Sequence, residues 1–249
     1  SGGASNAKIL NNTILGAGTM GGGADHDGIK MTAAANSNFE IRGNTFSNIE
    51  DDGIDNQNGG TNHVIENNTI TNADGDGIYC EGNSVIRGNT LRDIGGEGIF
   101  SANGNCTIED NTIDGVTGGD GIDAWDNDQV LNNKVYNVSG GDGIEMGDNT
   151  RVEGNEVRNV SGGGHGIYVG SDGNQPVINC EILNNTIDTV SGGGDGVFLE
   201  GGNNKVIGNT IRNIDTGGVG INVDDEDNNE IRDNTIDPVA EDGILVNGG

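Results

Sequence analysis

Two short motifs alternate along this chain, and each occurs ten times. One is Asn followed by Thr, Lys or Glu and then an aliphatic residue or Phe, at Asn12, Asn44, Asn68, Asn89, Asn111, Asn133, Asn155, Asn185, Asn209 and Asn234. The other is Gly followed by Ile or Val, at Gly28, Gly53, Gly77, Gly98, Gly121, Gly143, Gly166, Gly196, Gly220 and Gly243. Most intervals are 21 to 25 residues; those from Asn12 to Asn44 and from Asn155 to Asn185 are 32 and 30. A fixed period of this size marks a repeat architecture. Each repeat reads as three short strands, as in Val85–Arg87, then Asn89–Ile94, then Gly98–Phe100. Every apolar run is too short for a helix and is ended by Gly or Asn. Helical repeats need about 33 residues or more, and leucine-rich repeats need a leucine ladder that is absent here. The expectation is an all-β chain: a parallel β-helix of about ten coils with three strands per coil, one domain over residues 1–249. Residues 1–8 read as a terminal segment or an expression remnant.

The repeat explains a composition that otherwise argues against folding. Gly numbers 48 and Asn 38, together about a third of the 249 residues, while Ile, Val, Leu and Phe make up about 22%. With 40 acidic and 11 basic side chains the formal charge is −29, a combination near the boundary of disorder. Stacking coils about 4.8 Å apart turns those few aliphatic residues into continuous interior columns, such as Ile41, Ile65, Ile86, Ile108 and Val130. Ten coils make a rod of roughly 48 Å. Asn is expected at one corner, where it tolerates left-handed backbone and its amide can bond its neighbours, and Gly at another, where the chain bends tightly. No apolar run is long enough to span a membrane, and no basic patch exists to bind nucleic acid. Three cysteines without close spacing suggest neither a disulfide framework nor a metal motif. Of six N-x-S/T sequons, most are read as by-products of the Asn-Thr repeat. The acid excess also fits a salt-adapted surface.

The run Val85-Ile86-Arg87-Gly88-Asn89-Thr90-Leu91, followed by Gly96-Glu97-Gly98-Ile99, resembles the right-handed parallel β-helix repeats of the pectin-lyase-like superfamily. The resemblance covers essentially the whole chain. It implies the fold strongly and function only broadly, because that superfamily includes polygalacturonases, polysaccharide lyases, alginate epimerases, phage tailspikes and adhesins.

Chemistry concentrates on the third strand of each repeat. Before each Gly-Ile stand Asp27, Asp52, Asp76, Glu97, Asp120, Asp142, His165, Asp195, Val219 and Asp242, an acidic column with two interruptions. After each Gly-Ile stand Lys30, Asp55, Tyr79, Phe100, Asp123, Glu145, Tyr168, Phe198, Asn222 and Leu245, which strand alternation turns outward. Trp125 lies two positions past Asp123. Acids and aromatics on one face suit a polysaccharide: rings as platforms for sugars, carboxylates for hydroxyls or proton transfer. The competing reading is that Asp before Gly is repeated turn chemistry and that aromatics are good strand formers. Stacked carboxylates repel by about 1 kcal/mol per pair in water and roughly 3–4 kcal/mol at an effective dielectric of 20. Solvent, salt, raised pKa values or Ca²⁺ must relieve this. The segment Gly118–Asp126 fits the nine-residue Ca²⁺ repeat, although not in tandem.

Resemblance also suggests roles. Asp120, Asp142 and Gly164-His165-Gly166 follow one another at the spacing of polygalacturonase acids and histidine, although Gly141 replaces one Asp of that family's pair. Asp55 matches an alginate-epimerase Asp, but Asp52 and Gln57 replace its Tyr and His partners. Lyases of this fold rely on Lys or Arg, and Lys30 is the only base on the third face. The expected site is therefore catalytic Asp120, Asp142 and His165, with Tyr79, Phe100, Asp123, Trp125, Glu145 and Tyr168 binding substrate. No cofactor is required, with Ca²⁺ as the candidate ion. The insertions Gly16–His26 and Gly170–Asn179 are expected to flank function. The expected setting is extracellular or cell-surface. Two roles follow: binding or modifying a polysaccharide, or a structural or adhesive subunit that associates end to end through uncapped coils or is cropped from a longer chain.

Overall fold

The computed structural model describes residues 4–18, 26–32, 36–57, 60–170, 176–224 and 228–247. Most of the first insertion and the middle of the second lie outside the described residues. Three parallel sheets of ten strands each wrap around one interior. Successive strands in the chain belong to different sheets, and each pairs with its equivalents one coil before and one coil after. One coil runs through Val85–Arg87 in the first sheet, Thr90–Ile94 in the second and Ile99–Ala102 in the third. No helix occurs among the described residues, and none is long and apolar enough to cross a membrane.

Register stacks like on like. Ile86 pairs with Ile65 and Ile108, Leu91 with Ile70 and Ile113, and Ile99 with Ile78 and Ile122. All nine are fully buried. The five-residue strands of the second sheet bury their second and fifth residues, as at Leu91 and Ile94, a spacing that strict alternation forbids. A left-handed residue between them, Asp93 in this coil and Asn72, Asn137 or Asn159 in others, makes the local bulge that returns the fifth side chain to the core.

The repeated Asn is not itself the left-handed residue. That conformation falls one position earlier, at Asn67, Gly88, Asp110, Asn132, Gly154 and Asn184. The repeated Asn is buried and forms a ladder. The backbone N–H of Asn89 donates to Asn111 Oδ1 at 2.9 Å, and its Nδ2 donates both to that oxygen and to the carbonyl of Ile65. The same bonds recur from Asn44 to Asn234. All six sequon asparagines, Asn11, Asn67, Asn105, Asn137, Asn159 and Asn184, have positive φ. Backbone geometry therefore explains them. The repeated Gly also serves a different end from the expected bend. A Cβ on Gly98 would lie 2.2 Å from the carbonyl oxygen of Gly121 in the next coil. Gly is there because the coils approach too closely for any side chain.

Candidate functional site

The third sheet sets the residue before each Gly and the second residue after it side by side on the surface. The acidic column proves to be a second ladder. Asp52 Oδ1 accepts the N–H of Asp76 at 2.6 Å, and Asp76 Oδ1 accepts that of Glu97 at 2.7 Å. Glu97, Asp120 and Asp142 likewise accept the N–H of Asp120, Asp142 and His165. His165 Nδ1 accepts that of Asp195 at 2.9 Å, and Asp195 that of Val219 at 2.7 Å. Each side chain thus satisfies a backbone donor in the coil above it. Because His165 Nδ1 is an acceptor, its proton sits on Nε2. Burial holds this imidazole below its usual pKa despite the nearby carboxylates of Asp195 and Glu200.

Charge on this face is relieved differently along its length. At the first coils Lys30 reaches Asp55 at 2.6 Å and Asp27 at 2.9 Å, and the two carboxylates hold the ammonium well above its usual range. Further along no Lys or Arg contacts the column among the described residues, and protons take over. Burial pushes Asp52 up to about 7. Burial, then the charge of Asp120, pushes Glu97 up to about 8 and Asp142 to about 7. Glu145 is pushed furthest, to about 9, by burial and by its hydrogen bond to the Asp120 carboxyl. A proton held on Glu145 accounts for both the contact and the shift.

Asp120, Asp142 and Glu145 form one cluster, with an oxygen from each within 4.8 Å of the others. Asp123 pairs with Glu145 in register. Two aromatic groups flank the cluster along the axis. On one side Tyr79 and Phe100 meet edge to face at 4.9 Å, and Phe100 meets Trp125 at 6.4 Å. On the other, Tyr168 and Phe198 stack within 5° of parallel at 5.7 Å, with His165 against both. Phe100, Asp123, Trp125 and Glu145 line a cleft of about 440 Å³ with Asp126, Asp148, Gly170, Pro176 and Val177. Trp125, at 40% exposed, is the one large apolar side chain exposed away from the rod ends among the described residues.

The structure thus gathers Asp120, Asp142, Glu145 and Asp123. It places Phe100 and Trp125 on the cleft wall, Tyr79 behind Phe100, and Tyr168 and His165 one coil beyond. His165 is a rung of the ladder stacked on two rings. Asp126, Asp148, Pro176 and Val177 were missed as cleft residues. The 30-residue interval signalled an insertion there, and its described end, Pro176 and Val177, closes one side of the cleft. Gly170 also has a local reason: a Cβ there would strike the ring of Tyr168.

The clustered oxygens of Asp120, Asp142 and Glu145 are hard donors of the kind Ca²⁺ prefers, but supply three of the six to eight oxygens it takes. In the second acidic trio, Asp27, Asp52 and Asp55, two members, Asp27 and Asp55, already hold the Lys30 ammonium.

Comparison with known proteins agrees with this architecture. The chain matches the family described as right handed beta helix region over residues 1–135 and 120–249. It belongs to that family, within the pectin-lyase-like superfamily. No curated protein matches its sequence. Among solved structures it is similar to the Agl-KA catalytic domain, at 16% identity and a TM-score of 0.62, covering all of this chain and 54% of that one. It is similar to the A-module of the mannuronan C-5 epimerase AlgE4 of Azotobacter vinelandii, at 15% identity and a TM-score of 0.60, covering 98% of this chain and 81% of that one. The catalytic unit of a GH87 alpha-1,3-glucanase from Streptomyces thermodiastaticus is a third, at 16% identity and a TM-score of 0.50, covering 91% of this chain and 50% of that one. At such identities the likeness is one of fold.

Proposed function

We propose that the protein binds a polysaccharide across the third face and cleaves it at the Asp120–Asp142–Glu145 cluster. The observation that carries this reading is a carboxyl group held protonated at neutral pH, Glu145, beside further carboxyls and between two groups of aromatic rings. Breaking a glycosidic bond needs such a pairing, a carboxylic acid to protonate the leaving oxygen and a carboxylate across from it. Glu145 serves as the proton donor, and Asp142 or Asp123 as the carboxylate. Phe100 and Trp125 offer ring faces to sugars in the cleft, while Tyr168 and Phe198 extend the platform. The three neighbours include enzymes named for mannuronan and α-1,3-glucan, which supports a polysaccharide as substrate. The net charge of −29 favours a neutral polymer over a polyuronate. No cofactor is needed, and the setting is outside the cell or at its surface, where such polymers are met.

Reducing-sugar release from neutral glucans and from polyuronates tests the proposal. Glu145→Gln should lower the rate by about 10²–10⁴-fold while leaving binding intact. Trp125→Ala should weaken binding by up to about tenfold. The wild-type rate should fall as the pH rises through about 9, when Glu145 loses its proton. Neither binding nor cleavage across both polymer classes would sink the reading.

A further inference from the structure

The chain contains three cysteines, all free thiols and all buried. Two of them meet across neighbouring coils. Cys80 lies on the third-sheet strand Ile78–Glu81, and Cys106 immediately precedes the first-sheet strand Thr107–Glu109, whose register partner Val85–Arg87 follows Cys80 in the chain. Their sulfurs stand 3.6 and 3.7 Å from the same oxygen, the carbonyl of Glu81. Sharing that acceptor sets the two thiols side by side.

That contact orders the pair. The neighbouring Cys80 thiol, helped by the Ser101 hydroxyl and the N–H groups of Ser84 and Asn83, lowers Cys106 to about 7. The same contact and complete burial push Cys80 well up. Cys106 is therefore the thiolate of the pair and Cys80 its proton-bearing partner. Cys180 differs: it has no neighbouring thiol, and burial raises it to about 12.

The surroundings are polar for the interior of a solenoid. Asn56, Ser101 and Asp128, all buried, stand beside the two sulfurs. Ser101 is the register partner of Cys80, and Asp128 Oδ1 accepts the N–H of Cys106 at 2.6 Å. Buried polar groups gathered in this way make the site polar within an otherwise apolar core. The pair lies just beneath the surface. Cys106 Sγ is 3.8 Å from the carbonyl of Gly104, in the middle of the turn Asn103–Asn105, whose two asparagines are exposed.

We propose that Cys80 and Cys106 are a site of covalent modification, oxidised by a hydroperoxide to a disulfide that ties the coils together. The Cys106 thiolate attacks one peroxide oxygen; an S–O bond forms, the O–O bond breaks, and hydroxide leaves and takes up a proton as water. The resulting sulfenic acid faces Cys80. The Cys80 sulfur attacks that of Cys106; an S–S bond forms, the S–O bond breaks, and the departing oxygen takes the Cys80 proton as a second water. Two thiols lose two electrons and the peroxide gains them.

The test uses the folded chain and hydrogen peroxide, followed by denaturation, alkylation and mass spectrometry. The expected product carries one alkylated cysteine in place of three, a mass lower by about 2 Da before alkylation, and a peptide joining Cys80 to Cys106 with Cys180 alkylated. In Cys80→Ala, Cys106 should stop at the sulfenic acid and be trapped by a dione probe. In Cys180→Ser the cross-link should form unchanged, which separates a specific pair from general oxidation. Three alkylated cysteines after peroxide, a link involving Cys180, or Cys106 overoxidised with Cys80 still free would each overturn the proposal.

Discussion

Two ladders run along this rod and do the same work with different chemistry. In the asparagine ladder, a buried amide oxygen accepts a backbone N–H from the coil before it, as Asn111 does from Asn89. In the acidic ladder, a carboxylate oxygen accepts a backbone N–H from the coil after it, as Asp76 does from Glu97. Both remove an orphan donor at a corner where the sheets end. The amide does so without charge, and its spare N–H groups bond again. The carboxylate brings repulsion that is met by Lys30 at one end and by bound protons elsewhere. An amide could serve at the acidic corner too, so the fold alone does not demand acids there. Residues that break a local economy of this kind gather at functional sites. The acidic ladder is therefore where function is sought, and the asparagine ladder is a frame.

If that contrast is right, exchanging the two chemistries should have unequal effects. Asn111→Asp is expected to do the most damage. Asn111 Nδ2 donates to the Ile86 carbonyl and to Asn133 Oδ1, and an aspartate there would face two oxygens with no hydrogen to offer. The position is 1% exposed, so a loss of about 3–5 kcal/mol is expected at pH 8, read as a lower guanidinium midpoint. Near pH 4 the new carboxyl takes a proton and part of the loss should return. An unchanged midpoint at pH 8 would show that the asparagine ladder tolerates charge after all.

The pH dependence of the unmodified protein is the next effect in size. Asp52, Glu97, Asp142 and Glu145 sit at about 7, 8, 7 and 9 in the folded chain, above the usual carboxylate range near 4. Between about pH 4 and 9 the folded state therefore binds more protons than the unfolded one. Stability from these groups is full below about pH 4 and falls as pH rises through their folded values. The ion pairs of the first sheet act in the opposite direction. Glu181, held by Lys205 and Arg151, is lowered, and Glu40 is lowered by Lys8, so their contribution is lost as pH falls below about 4. Calorimetry should show a melting temperature several degrees lower at pH 9 than at pH 5, with salt narrowing the gap. A melting temperature that rises over that interval would contradict the proton-filled acidic column.

The repeat could be read from the chain because both anchors answer to backbone geometry repeated ten times. What the spacing could not reveal was which atom each anchor satisfies. The left-handed corner was one residue from the conspicuous Asn, since Gly88, Asp110 and Asn132 share a conformation but not a side chain. The role of Gly98 depends on the carbonyl of Gly121, a contact between coils that no local rule contains. Asp120 and Asp142 were visible as column members. Their union with Glu145 depends on two outward positions three residues apart converging on one surface. Pro176 and Val177 were legible only as part of an insertion, because a loop longer than the period leaves no register to follow.

Asp76→Asn is the mirror exchange and should change least. The amide oxygen keeps the bond to the Glu97 N–H, and the new N–H₂ replaces a charge that Asp51 and Asp55 oppose. Asp76 lies outside the Asp120–Asp142–Glu145 cluster, so polysaccharide cleavage should be unaffected. Burial raises the pKa of Asp76, so its charge is disfavoured in the folded chain. Removing it should raise stability slightly at pH 9, by about 0.5–1 kcal/mol, and change it less at pH 4, since the raised pKa leaves the native carboxyl less charged there. Chemical denaturation at both pH values measures the difference. A loss at pH 9 as large as that of Asn111→Asp would mean the carboxylate at this corner is structural in its own right, and the two ladders would then differ in composition but not in purpose.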